Sequence, residues 1–345
     1  MSGSPAPYKA AIKLSDFDSL IEQKLVRVKN YPEQSLCVIK YQGKVFYDNL
    51  WGQDKMLNEA RGIVFDTTTG EVVIWPFTKV FNHHENGTKL DPETMVIAPR
   101  KVNGFMASVS SHNGEMLIAT TGTLDSDYVG YAREYLEHTT IKSIVQNLTT
   151  NVNTLLFEIC HPSDPHIVDE AHGAYLIGGR NHETGLMFTE QHLDAIAKDT
   201  AMKRPEWFRM KFGDLVKLSR TVDHEGFMVR LLTGETVMKI KTPHYLTKKF
   251  LMRMGSKKVV MMYEDPHLFK QSVDEEYYDL VDYLVSEVEY DDFAHMRDQE
   301  RKDVIEKFWR ERDAKAYAIS GPGVTGQREV YTGCDSGNCL ACTTL

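Results

Sequence analysis

Five charged residues of this chain stand where strand ends would bring them together. Lys101 opens KVNG just before a hairpin pattern, Glu158 lies inside the apolar run LLFEIC, Glu225 opens EGFMV, and Lys239 and Lys241 alternate in MKIKT. Residues i and i+2 of a strand face the same side, so Lys239 and Lys241 present two ammonium groups to one surface. Carboxylates on two further strands can face the same cleft. Charge is also unevenly spread along the chain. Residues 239–258 hold seven Lys or Arg and no acid, whereas residues 271–300 hold eleven acids against the single Arg297. A net charge of −9 argues against a generic nucleic-acid coat, but a localised basic face is what a phosphate-bearing partner requires. The blander explanation is two solvated helix faces.

The elements that would position these residues follow from the pattern. With 345 residues, 42% hydrophobic and 26% charged, the chain reads as an ordinary globular protein of about two domains. Apolar runs separated by turns predict strands at LCVIKY, KVFYDN, RGIVFD and EVVIWPFTKVF, with TTTGE as a hairpin loop. GFMASVSS and MLIATT flank an Asn-Gly turn, a strong hairpin signal. Helical spacing appears over residues 126–148, 189–200 and 211–219, with strands at TLLFEIC and AYLIGGRN between them. EGFMVRLLTGETVMKIKT predicts another hairpin. From Tyr245 the chain reads as helical, with Tyr277, Leu280, Val281, Leu284 and Val288 forming one stripe. This organisation predicts an α+β domain over 1–245, a small all-helical unit over 246–318 and a loose tail over 319–345. No apolar run is long enough for a transmembrane helix, and the N-terminus lacks a secretory apolar region. Five Cys, three of them crowded in the tail, do not make a disulfide framework, so an intracellular setting is expected.

Taken in order, KxxG at Lys101, a TxG turn, FE at Glu158, EGxxV at Glu225 and KxK at Lys239–Lys241 resemble the motifs of covalent nucleotidyltransferases, the superfamily of ATP-dependent ligases and mRNA capping enzymes. EARGIVFD and WPFTKVFN further resemble the N-terminal motifs of the phage RNA ligase 1 family. The resemblance spans about residues 55–250, with 57 residues from Lys101 to Glu158, 67 on to Glu225 and 14 on to Lys239.

The resemblance implies an adenylyltransferase domain of antiparallel sheets with flanking helices, then a helical RNA-binding unit. It implies that Lys101 attacks the α-phosphorus of ATP as a neutral amine, expelling pyrophosphate. Arg61 and Lys79 would hold the triphosphate, Gly104 would allow close backbone approach, and Lys239 and Lys241 would neutralise phosphate charge. Glu158 would contact the ribose or help bind Mg²⁺ or Mn²⁺, and Glu225 would hold that ion. Phe81 and Tyr175 are candidates to wall the adenine, although core packing is the commoner use of strand aromatics. A free lysine has a pKa of about 10.4, so about one in 2,500 is neutral at pH 7. Positive charge from Lys239, Lys241 and the metal is expected to lower it. The implied activity is an ATP-dependent RNA ligase that joins 5′-phosphate and 3′-hydroxyl RNA ends in repair, a broken tRNA being one structured substrate. Lys248, Lys249 and Arg253 would take RNA phosphates. A monomer in the cytoplasm of a host or infected cell is expected.

Some features depart from the pattern. The phage family usually has Asp where this chain has Asn103, and KxNG resembles the sealing domain of fungal tRNA ligases. Asn103 is also the one feature that favours a non-catalytic RNA-end binding module. TTGT at 120–123 lacks the basic residue the family often places there. DNA ligases and capping guanylyltransferases usually follow the core with a β-rich domain, whereas residues 250–315 read as helices. Cys334, Cys339 and Cys342 lack a nearby fourth zinc ligand. His83 and His84 are adjacent, so strand alternation would put them on opposite faces. No P-loop and no HxT pair occurs, so end-healing activities are not expected.

Overall fold

The computed structural model of the protein describes residues 11–150, 153–198 and 200–316. The cysteine-rich tail and the domain end at residue 318 lie outside these. Among the described residues, twelve strands carry the α+β part: β1 (Val26–Tyr31), β2 (Leu36–Tyr41), β3 (Arg61–Asp66), β4 (Val72–Ile74), β5 (Met95–Lys101), β6 (Phe105–His112), β7 (Glu115–Ala119), β8 (Asn153–Cys160), β9 (Gly173–Asn181), β10 (Trp207–Lys211), β11 (Gly226–Leu231) and β12 (Thr236–Lys241). They form three antiparallel four-stranded sheets, ordered β1-β2-β3-β4, β10-β5-β11-β12 and β7-β6-β8-β9. The β6–β7 turn places Asn113 and Gly114 both at positive φ (52° and 81°), which is why Asn-Gly stands there.

One expected strand is a helical turn instead. KVFYDN was predicted extended, but Gly43–Tyr47 is helical. Both edges of β2 are already taken, by β1 and β3, so the segment has no strand to pair with. EVVIWPFTKVF is extended only over Val72–Ile74, ahead of Pro76, which has no N–H to donate.

Each sheet buries one face under helices. Helices α1 (Asp127–Leu136) and α2 (Thr139–Thr150) cover the third sheet, with Val129, Leu136 and Val145 packed on Val109, Leu155 and Phe157. Helix α3 (Glu190–Ala197) adds Leu193 to the same core. Helix α4 (Phe212–Ser219) covers the second sheet through Phe212, Leu215 and Val216. The first sheet builds its core from Phe17, Leu20, Ile39, Ile63 and Phe65.

Beyond β12 the chain turns helical at Pro243, a residue suited to a first helical turn, with the Thr242 side chain accepting from the Tyr245 N–H. Helices α5 (Pro243–Met252), α6 (Ser256–Glu264), α7 (Tyr278–Glu287) and α8 (Asp298–Ala316) enclose a core of Phe250, Met262, Tyr277, Leu284 and Trp309. Tyr245 and Leu246 belong to this core.

Candidate active site

Lys101 ends β5, and its neighbours across the sheet are the starting material of the site. Gly226 of β11 is the Cα partner of both Lys101 and Lys241. Three adjacent strands therefore place Lys101, the Glu225–Gly226 pair and Lys241 side by side. Residues 102–104 then carry the chain from the second sheet into β6 of the third, where Met106 pairs with Glu158. The candidate site is this seam between two sheets. Two glycines close it. A Cβ on Gly226, at φ +152°, would lie 1.9 Å from the Ile240 carbonyl oxygen, and one on Gly104 would lie 2.4 Å from that of Ile159. EG and KxxG are thus packing requirements of the seam.

Lys101, Glu225 and Glu158 gather at this seam. Lys101 Nζ lies 2.9 Å from Glu225 Oε2, and the Gly104 N–H donates to Glu158 Oε1 at 3.1 Å. Both carboxylates are buried. Burial alone would lower the Lys101 pKa, but the Glu225 and Glu158 charges and the hydrogen bond to Glu225 outweigh it and hold it above an ordinary lysine. This corrects the expectation of a depressed pKa. In the protein alone, the charges that act most on Lys101 are the carboxylates of Glu225 and Glu158. Glu225 would rise on burial, yet the Lys101 and Lys241 charges and the bonds from Lys101 and Asn103 hold it below the usual range. Glu158, more weakly compensated, is raised by burial.

Asn103 uses both ends of its amide. Its Nδ2 donates to Glu225 Oε2 at 2.9 Å, while its Oδ1 accepts from the Val168 N–H at 3.0 Å. An ionised Asp could not make the first bond. Glu170 accepts from the Asn103 N–H at 3.2 Å and takes both Arg100 nitrogens at 2.7 and 2.9 Å. Arg100 and Glu170, which motif reading passed over, brace the Lys101–Gly104 segment through Asn103.

Burial lowers both lysines of β12, Lys241 against the opposing charge of Glu276. Lys239 is pushed down to about 7, by burial first and then by the Lys241, Arg61 and Lys79 charges. Its strand is tied to the first sheet's loop, because the Lys239 N–H donates to Phe81 O and its carbonyl accepts from His83 N. Lys79 projects from that loop over the rings of Trp51, Phe81 and Phe46, with Glu85 at 3.4 Å and Glu275 at 3.9 Å. Phe81 therefore packs against Trp51 and the Lys79 ammonium. Tyr175 is the Cα partner of Glu158 and donates its hydroxyl to Ala171 O. Arg61 opens β3 opposite Lys40 across a bulge. His83 and His84 stack at 3.7 Å rather than pointing apart, since His84 at φ +75° leaves strand alternation.

The basic and acidic stretches do not form two separate solvated faces. Lys241 Nζ donates to both oxygens of Glu276, at 2.6 and 2.9 Å. Lys249 donates to Glu276 at 3.0 Å and Asp274 at 2.7 Å, and Arg253 lies 3.3 Å from Asp274. Lys249 is buried among these acids, so it is not the exposed RNA-facing cation expected of it; Arg253 is exposed but paired, and Lys248 is exposed. Glu276 would rise on burial, but Lys241 and Lys249 bring it down to about 2. A cavity of about 290 Å³ adjoins this network, lined among others by Lys239, Lys241, Glu276, Asn82 and Tyr278.

A profile described as RNA ligase matches residues 59–278, which takes in Arg61, Lys79, every motif residue above and the acidic turn at 274–276. The chain belongs to the RNA ligase family. An archaeal ATP-dependent RNA ligase shares its fold at TM-score 0.56 and 11% identity, over 88% of this chain and 79% of that one. A putative ATP-dependent DNA ligase from Aquifex aeolicus does so at TM-score 0.52 and 11% identity, over 88% and 80%. No curated protein matches this RNA ligase in sequence. At such identities the shared fold carries over, and the residue roles rest on the geometry of this chain. No helix among the described residues is long and apolar enough to cross a membrane.

Proposed function

We propose that this RNA ligase uses ATP to seal RNA 5′-phosphate and 3′-hydroxyl ends in three steps, with Lys101 as the covalent nucleophile. The observation that carries this is the seam itself. One lysine lies between two buried carboxylates, Glu225 and Glu158, while a neighbouring strand brings the two lysines of KxK.

In the first step Lys101 loses one proton to solvent and attacks as the amine; the Lys101 Nζ–P bond forms, the bond from the α-phosphorus to the β-phosphate oxygen breaks, pyrophosphate leaves, and a second proton passes from Nζ to solvent. Lys239, Lys241, Arg61 and Lys79 supply positive charge where phosphate charge builds up. Glu225 and Glu158 are hard oxygen donors suited to Mg²⁺ or Mn²⁺, and no cluster of three or more His, Cys, Asp or Glu able to hold a metal ion occurs among the described residues. The remaining ligands would come from phosphate and water. A divalent ion held there would supply positive charge that offsets both carboxylates and favours the neutral Lys101 amine. In the protein alone Glu225 holds the ammonium in place and protonated. In the second step the AMP passes to an RNA 5′-phosphate. In the third an RNA 3′-hydroxyl attacks that end and AMP departs. A broken tRNA is the structured substrate this reading favours, oriented by the helical unit. Asn103 does not weaken the catalytic reading, because its amide is engaged on Glu225.

Incubation with α-labelled ATP and Mg²⁺, followed by a denaturing gel, tests this. Wild type should carry an acid-labile label that Lys101→Ala abolishes, while the variant still seals pre-adenylylated RNA. A labelled band in Lys101→Ala would refute the assignment.

A further inference from the structure

Glu276 lies in the acidic stretch of the helical unit, outside every nucleotidyltransferase motif, yet it reaches the candidate nucleotide site. Its carboxylate is 6% exposed and takes two hydrogen bonds from the Lys241 ammonium. Lys249, a residue of α5, holds the same carboxylate from a second side and also bonds Asp274. The next residue anchors the segment. Tyr277 is buried, donates its hydroxyl to Leu246 O at 3.3 Å, and packs on Phe250 and Trp309. The carboxylate therefore has a fixed position set by the helical core.

Such a carboxylate can act in two opposite ways. It can compete with phosphate for the lysines, or it can hold one of them in position. Two observations favour the second. An ammonium has three donors, and Glu276 engages two of those on Lys241, which leaves one. The cavity lined by Lys239, Lys241 and Glu276 is also open with the carboxylate in place, so a phosphate has room without displacing it. A long lysine side chain otherwise loses rotamer freedom when it binds phosphate, and a donor fixed beforehand avoids that loss.

We infer that Glu276 is a positioning residue for Lys241: it orients the ammonium so that its remaining donor meets the phosphate under attack, and it thereby makes the helical unit part of the nucleotidyl-transfer site. This rests on the adenylyl-transfer reading above. It assigns Asp274 and Lys249 to holding Glu276 rather than to substrate.

The test is the initial rate of lysyl–AMP formation against ATP concentration for full-length wild type, Glu276→Gln and Glu276→Asp. Glu276→Gln keeps the shape and removes the charge. Its maximal rate should fall about 10-fold, the scale of a misplaced catalytic group short of its loss, with the ATP KM changed by less than about 3-fold. Glu276→Asp restores the charge a methylene short and should recover part of the rate, which a purely structural role would not do. If Glu276→Gln fails to fold, the Glu276→Asp rate against wild type carries the comparison, and an undiminished rate overturns the inference. Faster labelling or a lower KM in Glu276→Gln would show that the carboxylate competes with phosphate, and an unchanged rate would show that it does neither. Both overturn the inference while wild-type labelling stands. A wild type that takes no label overturns the adenylyl-transfer reading itself.

Discussion

Asn103→Asp restores the residue usual in the phage RNA ligase pattern, and this structure makes it a severe change in the metal-free protein. The Asn103 Nδ2 donates to Glu225 Oε2 at 2.9 Å, and the Oδ1 bond to Val168 can survive in the variant. The first bond cannot, and a second carboxylate oxygen takes the donor's place. Losing a hydrogen bond to a charged group costs about 1.5–3 kcal/mol. Two unit charges 3 Å apart add about 5 kcal/mol of gross repulsion at an effective dielectric of 20, part of which the Lys101 ammonium offsets. The pair escapes the rest by keeping a proton, so its folded pKa rises above the unfolded carboxyl values. A raised carboxyl pKa leaves the variant's deficit absent below about pH 4 and complete only above the folded pKa. We expect Asn103→Asp to unfold about 5 °C below wild type at pH 8 in EDTA, from about 2–3 kcal/mol net. The gap should narrow at pH 5. A divalent cation, which the paired carboxylates would bind, should narrow it at pH 8 as well. Thermal melts at both pH values, with EDTA and with Mg²⁺, measure this. Equal melting temperatures for variant and wild type in EDTA at pH 8 would refute the geometry assigned to Asn103, and a gap that Mg²⁺ leaves untouched would refute the metal role of Glu225.

Further predictions concern the lysines and the seam. Lys239, held near 7, should be largely neutral in the free enzyme at pH 8 and regain its proton when triphosphate arrives. Calorimetry of ATP binding in buffers of different ionisation enthalpy should show proton uptake that Lys239→Met removes. The same depressed pKa means that this group binds more protons unfolded between about 7 and 10.5, so its contribution to stability rises with pH across that window. Gly104→Ala drives a Cβ toward the Ile159 carbonyl and should displace the N–H that holds Glu158, cutting adduct formation by about 10²-fold; wild-type labelling would show that the seam tolerates the methyl. Lys248→Ala and Lys249→Ala should behave oppositely despite being neighbours. The first should weaken RNA binding and flatten its salt slope by about 0.7 with no change in melting. The second breaks a buried pair and should cost roughly 3 kcal/mol of stability; a Lys249→Ala protein that melts like wild type would count against the network at Glu276.

Much of the fold was legible in sequence because local chemistry specifies it. Asn113-Gly114 can only be a tight turn, Pro243 behind Thr242 starts a helix, and the stripe from Tyr277 to Leu284 has helical spacing. KVFYDN reads as a strand by composition, but composition says nothing of whether an edge is free, and β1 and β3 take both edges of β2. Strands β5 and β10 are not legible in the pattern, since their registers depend on partners more than 100 residues away.

The site divides in the same way. Motif order and spacing pointed to Lys101, Gly104, Glu158, Glu225, Lys239 and Lys241 as one group, and strand pairing brings Lys101, Glu225 and Lys241 side by side. Only the tertiary structure decided what surrounds each charge. Ionisation depends on distances of a few ångströms and on burial, and neither is written in residue order. It faced Lys101 with carboxylates, left Lys239 near 7 and gave Lys241 a partner 35 residues downstream. The two oppositely charged stretches were visible as composition; that they cancel inside the protein, at Glu276, was a matter of how the helical unit packs against the sheets.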